Sequence, residues 1–133
     1  MPIEVAAGLI FREGRLLITQ RPPGSHLAGL WEFPGGKREP GEPWEACLRR
    51  ELHEELGIEA GVDGLYQEIE FEYPGKQVRL RFYRARVLEG EPQPLGCAAL
   101  RWIGPDGLDA HAFPAADALL LDRLRADRVS WAR

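Results

Sequence analysis

Cysteine is scarce in this chain of 133 residues, cationic side chains are outnumbered, and long apolar runs are absent. Cys47 falls in an expected helix and Cys97 in a glycine-flanked loop, which leaves no disulfide framework and fits a reducing compartment. Lys and Arg number 17 against 21 Asp and Glu, giving a net charge of -4 and a pI near 5.4. Proteins that hold a nucleic-acid polymer usually carry a basic patch that displaces counterions, so this balance argues against such a partner. No apolar stretch approaches membrane-spanning length, and the opening Met-Pro-Ile-Glu lacks the basic start and apolar core of a signal peptide. The expectation is a soluble cytoplasmic protein, a monomer or homodimer. At 15.0 kDa the chain is the size of one domain spanning residues 1–133, long enough to bury most of its apolar surface in one core.

Alternation and turn signals organise the chain. Ile3 to Phe11 and Arg15 to Gln20 flank a Glu13-Gly14 turn and predict a hairpin. Arg21 to Leu30, with Pro22, Pro23, Gly24 and Gly29, reads as a loop. Trp31-Glu32-Phe33 reads as a short strand running into a turn at Pro34-Gly35-Gly36. A helix is expected from just after Glu42, with Pro43 in its first turn, to a stop at Gly57, burying Leu48, Leu52 and Leu56. Between Tyr66 and Val87, Glu68, Glu70 and Glu72 interleave with Ile69, Phe71 and Tyr73, and Arg79 and Arg81 interleave with Val78, Leu80 and Phe82. The pattern predicts an antiparallel hairpin in which Tyr73 pairs with Val78 across a four-residue loop, Glu72 with Arg79 and Glu70 with Arg81. After Phe82 the phase shifts to Tyr83, Ala85 and Val87, implying a bulge or a strand exposed differently along its length. Leu100 to Ile103 is a further short strand. A second helix from Pro114 or Ala115 to Ala126 is expected to turn Leu119, Leu120 and Leu124 inward. Hairpins with two separate helices indicate an α/β (α+β) domain whose mixed sheet lies between helices.

The chemistry concentrates in Gly36 to Ile58. Glu51, Glu54 and Glu55 stand at i, i+3 and i+4, on one helix face, where like charges repel unless a cation offsets them. Carboxylate oxygens suit a hard divalent cation, Mg²⁺ first, with Mn²⁺ as a substitute. On a helical wheel the leucine stripe is centred about 100° from the glutamates, so they face a cleft at the edge of the core. The competing reading is a solvated face paired with Arg49 and Arg50. Gly35, Gly36 and Gly57 count against it, since a merely ion-paired helix needs no glycine bend before it. Arg50 can reach Glu54 at i+4, and Glu42 suits a brace at the helix start. Cys47 is either a small half-buried residue or a neighbour of the glutamate face.

Gly36, Glu42, Arg50-Glu51-Leu52, Glu54-Glu55 and Gly57-Ile58 match every defined position of the Nudix signature: G, five residues, E, seven residues, R-E-U-x-E-E-x-G-U, with U aliphatic. A chance match in a chain this long is on the order of 10⁻⁷ or rarer. The chain thus resembles the Nudix hydrolases. Its strand pattern, the Arg21 to Gly36 segment, Trp102 and Phe113-Pro114-Ala115-Ala116-Asp117 are similar to the MutT branch, which hydrolyses modified nucleoside triphosphates such as 8-oxo-dGTP to the monophosphate and pyrophosphate.

The resemblance implies an α/β/α sandwich and a small-molecule nucleotide substrate arriving with Mg²⁺. It implies metal ligands or their close support at Gly35, through its carbonyl, and at Glu51, Glu54 and Glu55. Glu54, Glu51 and Arg50 are the implied catalytic group, and Arg21, His26, Glu32, Phe33, Pro34 and Gly35 would contact the nucleotide. As residues alone, Arg21 and His26 read equally as loop side chains, and Phe33 as core.

Two departures from the branch stand out. A further glutamate expected near Gly96 is missing, which makes Glu54 the candidate base and Glu91 the outsider. Asp117 stands where an asparagine would read the oxidised purine. A carboxylate there also suits the exocyclic amine of cytosine, so a (d)CTP or 5-methyl-dCTP diphosphatase is the alternative. Asp117 could also be a plain helix cap. A nucleotide sensor without turnover is the alternative of another class.

Overall fold

Ala6 to Ile10 are consecutive buried residues, which a strand can sustain only when both of its faces are covered. In the computed structural model, which describes residues 2–132, they lie in β1 (Ile3–Arg12). Met1 and Arg133, both within the expected domain span, lie outside the described residues. The other strands are β2 (Arg15–Gln20), β3 (Trp31–Glu32), β4 (Gly35–Lys37), β5 (Glu59–Tyr73), β6 (Lys76–Glu89) and β7 (Ala99–Ile103). The helices are α1 (Trp44–Leu56) and α2 (Ala118–Ala126).

The sheet is mixed, with β1 parallel to β6 from Ile3 against Val78 to Ile10 against Ala85, and antiparallel to β4 and to the start of β2. The expected first hairpin therefore exists only at its turn, where Phe11 meets Leu16 and Arg12 meets Arg15. Beyond it β2 leaves to pair with β7 and β3.

One core lies under α1, where Cys47, Leu48, Leu52 and Leu56 pack on Ala6, Ile10, Leu17, Tyr83 and Ala85. The other lies under α2, where Leu120, Leu121, Leu124 and Trp131 pack with Leu9, Ile18, Phe33 and Phe82. This is the expected mixed sheet between two helices. Pro43 precedes the first residue of α1, and Gly57 ends it at φ 72°, donating its N–H to His53 O, as the sequence implied.

Four details depart from the sequence reading. The Pro34-Gly35-Gly36 turn is instead the start of an extended strand, with Ala7 facing Gly35 and Ala6 facing Gly36. Glycine is needed there for close approach: a Cβ on Gly35 would lie 2.0 Å from Ala6 O. The β5–β6 hairpin closes through the two residues Pro74-Gly75, so Tyr73 faces Lys76, Glu70 faces Arg79 and Glu68 faces Arg81. The acid–base rows survive because a shift of two residues keeps every side chain on its face.

The phase change after Phe82 is, as expected, a change of cover along β6. Leu80 and Phe82 face the α2 core, and Tyr83 and Ala85 the α1 core, while the bulges sit opposite in β5 near Val62/Gly64 and Leu65/Gln67. Strand β5 also starts earlier than expected, at Glu59. Finally, Leu119 is 65% exposed and Leu121 takes its place inside, because a 3₁₀ turn over Ala115–Asp117 advances the chain before α2 begins.

Leu52→Ala should cost about 2–5 kcal/mol in urea denaturation, since Leu52 is fully buried between α1 and β1. Leu119→Ala should stay within about 0.5 kcal/mol of the parent.

Candidate functional site

Pressing β4 between β1 and α1 sets the site. A Cβ on Gly36 would fall 2.3 Å from the Glu51 carboxyl carbon, so only glycine lets that carboxylate lie flat against the strand. Gly35 N–H points toward Glu55 Oε2 at 3.4 Å. Glu51, Glu54 and Glu55, with Gly35, Glu32, Arg21 and Gly96, line an open depression of about 360 Å³.

Arg50 organises the acidic face from behind. Its Nε donates to Glu42 Oε2 at 2.8 Å and its Nη2 to Glu42 Oε1 at 3.0 Å, a two-pronged grip, while Nη1 reaches Glu51 Oε1 at 2.9 Å. Glu54 stands 3.4 Å from the same Nη1 and is over half exposed. The sequence reading gave Arg50 to Glu54. The fork geometry gives it first to Glu42 and Glu51, because a planar guanidinium pairs best with a carboxylate presenting both oxygens. Glu42 is the brace expected of it: Arg50 and the Glu39 N–H hold its carboxyl down to about 2.

Among the described residues Glu55 has no such cation. Burial, the facing Glu32 and the adjacent Glu51 push its carboxyl up to about 7, with Gly35 N–H opposing. Among the described residues no three His, Cys, Asp or Glu side chains are gathered round one point as for a metal ion. The donor set nevertheless fits a hard divalent cation: it is all oxygen, and the half-buried, under-compensated Glu55 carboxylate calls for positive charge. Nothing in the geometry singles out the Gly35 carbonyl as a ligand. Cys47 is fully buried, its thiol donates to Gly36 O at 3.7 Å, and burial raises its pKa to about 11, so it is a packing residue. Glu91 lies away from the depression, held by Arg12 at 2.8 and 3.0 Å, which removes it as a candidate base.

Beside the ridge is a cavity of about 220 Å³ walled by Val5, Ala7, Phe33, Val78, Leu80 and Phe82 and edged by Lys37, Lys76, Tyr73 and His26. Arg21 and Glu32 border both spaces and pair at 2.8 Å, so cavity and ridge share a wall. Phe33 serves both readings proposed for it: it is 4% exposed, stacks on Phe113 at 5.4 Å, and lines the cavity. Pro34 acts through its backbone, accepting Gly8 N–H at 2.7 Å. His26 meets Tyr73 edge-on at 5.8 Å, and its carbonyl accepts Arg21 Nε.

Asp117 is buried in the cavity wall; it stands at the start of α2, as the helix-start reading had it, but its side chain makes no capping hydrogen bond. Burial, then Glu32, push its carboxyl up to about 7. The sequence reading missed Tyr73, Lys37 and Lys76 as cavity residues. Their placement depends on the parallel β1–β6 register, which no local pattern encodes.

Comparison with known proteins agrees with this geometry. A NUDIX domain family model matches residues 6–123. An 8-oxo-dGTP diphosphatase of Haemophilus influenzae is 44% identical over 92% of this chain and 90% of its own length. A CTP pyrophosphohydrolase of Escherichia coli is 40% identical over 96% and 95%. The crystal structure of a MutT NUDIX hydrolase from Burkholderia pseudomallei superposes with a TM-score of 0.84 at 29% identity, covering 93% of this chain and 98% of that one. Signature, fold and relatives together place the chain in the Nudix hydrolase family.

Proposed function

We propose that this chain, as a single domain, is a Mg²⁺-dependent diphosphatase that cleaves a modified nucleoside triphosphate, foremost 8-oxo-dGTP, to the monophosphate and pyrophosphate. Such an enzyme clears damaged precursors from the nucleotide pool before DNA synthesis. Its place would be the cytoplasm, where free nucleotides are found, as a monomer or homodimer. The observation that carries the reading is the shared wall at Arg21 and Glu32: an acidic ridge suited to cation-bound phosphates adjoins an apolar-walled cavity of base size.

In this reading Glu51, Glu54 and Glu55, with Gly35 as close support, hold the cation. When bound it would offset repulsion between ridge and phosphates, polarise phosphorus and lower the pKa of an attacking water. The protein's own contributions are positional. Arg50 fixes Glu51 through the Glu42 clamp, and Arg21 sits at the border where base and phosphates would divide. Glu54, exposed at the rim, is free to accept the proton of the attacking water.

Asp117 bears on the base. A carboxyl with its pKa near 7 is part neutral at neutral pH, and the neutral form, like an amide, both donates and accepts. That suits the edge of an oxidised guanine, while the ionised form suits the exocyclic amine of cytosine. The relative named CTP pyrophosphohydrolase supports keeping this second reading.

A panel of triphosphates, with phosphate and pyrophosphate assayed separately, should show 8-oxo-dGTP turned over ahead of dGTP, with pyrophosphate as product. CTP or 5-methyl-dCTP running faster would favour the second reading, and tight binding without hydrolysis would favour a sensor. Glu55→Gln should lower turnover by about 100-fold or more with the fold retained by circular dichroism, since one formal charge leaves the cation's surroundings. Asp117→Asn should keep activity on the oxidised purine and lose it on cytidine nucleotides.

The same residue sets a stability trend. A carboxyl whose pKa is raised on folding binds its proton more tightly in the folded state, so stability present at pH 4 declines as pH rises toward 7. Thermal melts in chelator should show that decline, and Asp117→Asn should lessen it, the rest coming from Glu55, whose carboxyl is raised to about 7 as well.

A further inference from the structure

Thr19 is fully buried in β2, and no hydrogen bond reaches its hydroxyl among the described residues. A buried hydroxyl without a partner is a net cost to folding, and valine would fill the same space without that cost. The position therefore calls for a partner. Strand alternation points to where it lies. Leu16 and Ile18 face the α2 core and Leu17 the α1 core, so Thr19 projects to the α1 side, level with Glu32 on β3 and Leu100 on β7.

That end of β2 is strapped to the end of α1. Gly96 N–H donates to Glu55 O at 3.0 Å, and two residues later Ala98 N–H donates to Gln20 O at 2.9 Å. A Cβ on Gly96 would lie 3.3 Å from Glu55 Cα, so the strap holds Glu55 close. The Thr19 hydroxyl consequently faces α1 at the end of β2 that this strap ties to Glu55, without a hydrogen-bond partner of its own among the described residues.

We infer that Thr19 is a positioning residue for the cation site: its hydroxyl donates to the Glu55 carboxylate when that group turns to hold a divalent ion, fixing the carboxylate's orientation. The inference rests on the reading of Glu55 as a cation ligand and adds the donor that orients it. Groups behind a metal-binding carboxylate typically change metal affinity by 10–100-fold when removed. A hydroxyl on a central strand suits the task because its backbone is fixed by pairing on both sides, so one side-chain rotation completes the contact.

The test is Mn²⁺ binding to the full chain, by calorimetry and by the spectrum of free Mn²⁺, for the parent, Thr19→Val, Thr19→Ser and Glu55→Gln. Thr19→Val should weaken Mn²⁺ by about 10-fold, while its melting temperature in chelator equals or exceeds the parent's, because an unpartnered hydroxyl has been removed. Thr19→Ser should return affinity to within about threefold of the parent, which a purely packing role for the β-branched side chain would not achieve. The inference is overturned if Thr19→Val binds Mn²⁺ within twofold of the parent while Glu55→Gln does not. A parent chain that binds no Mn²⁺ would overturn the cation-site reading as well.

Discussion

Contact between the diglycine strand and the first helix is the constraint on which the site depends. Gly35 and Gly36 pair with Ala7 and Ala6 on one side and receive the Glu51 carboxylate on the other, with no room for a side chain in between. Backbone thickness alone separates the central strand from the acidic face of α1. The apolar stripe of Cys47, Leu48, Leu52 and Leu56 holds the helix at that distance, so core packing and site geometry are one arrangement seen from two faces. The stripe fixes the height of the glutamates above the sheet, and the glycines permit it.

Arg50 then divides the acids by function. It satisfies Glu42 with two hydrogen bonds and Glu51 with one, and it touches Glu54 only at 3.4 Å. Glu42 is thereby a structural anion, held down to about 2, and the grip ties the loop before α1 to its middle turns. The remaining carboxylates are left to the depression. One guanidinium thus creates both a rigid support and an uncompensated charge beside it, which a flexible lysine would not do as well.

The first helix was legible in the sequence because three independent signals coincide there: a 3.6-residue apolar period, proline at the start and glycine at the stop. The glutamate face and its offset from the leucine stripe followed from the same period. The strand Gly35–Lys37 was not legible, because glycines lack the side-chain alternation that identifies strands and instead signal turns. The β5–β6 register slipped by two residues for a related reason: alternation specifies the face of each side chain but repeats every second residue. Leu119 was misplaced because a 3₁₀ turn before α2 is invisible to a helical wheel that begins at Pro114. The cavity was least legible. It joins residues from β1, β4, the Arg21–Leu30 loop, the β5–β6 hairpin and the start of α2, and only the parallel pairing of β1 with β6 brings those together.

Asp117, Glu32 and Glu55 show how such a site can be recognised physically. Asp117 is buried and Glu32 and Glu55 are half-buried; each carboxyl has its pKa raised, and in each case loss of solvent is the leading cause. Among the described residues only Glu32 has a cation beside it, Arg21. Side chains chosen for stability alone would not place three acids around one wall, since each raises the cost of ionising the next. The apolar cores to either side could have accommodated neutral residues at these positions. The unfavourable charge is instead concentrated where two open spaces meet, one sized for a base and the other lined with oxygen ligands. A ligand that brings hydrogen-bond donors to Asp117 and positive charge to Glu55 relieves both at once, so occupancy and folding stability are linked through the same groups. Local departure from the stability optimum, confined to this wall within an otherwise well-packed two-core sandwich, is what distinguishes the site from the charged surface around it.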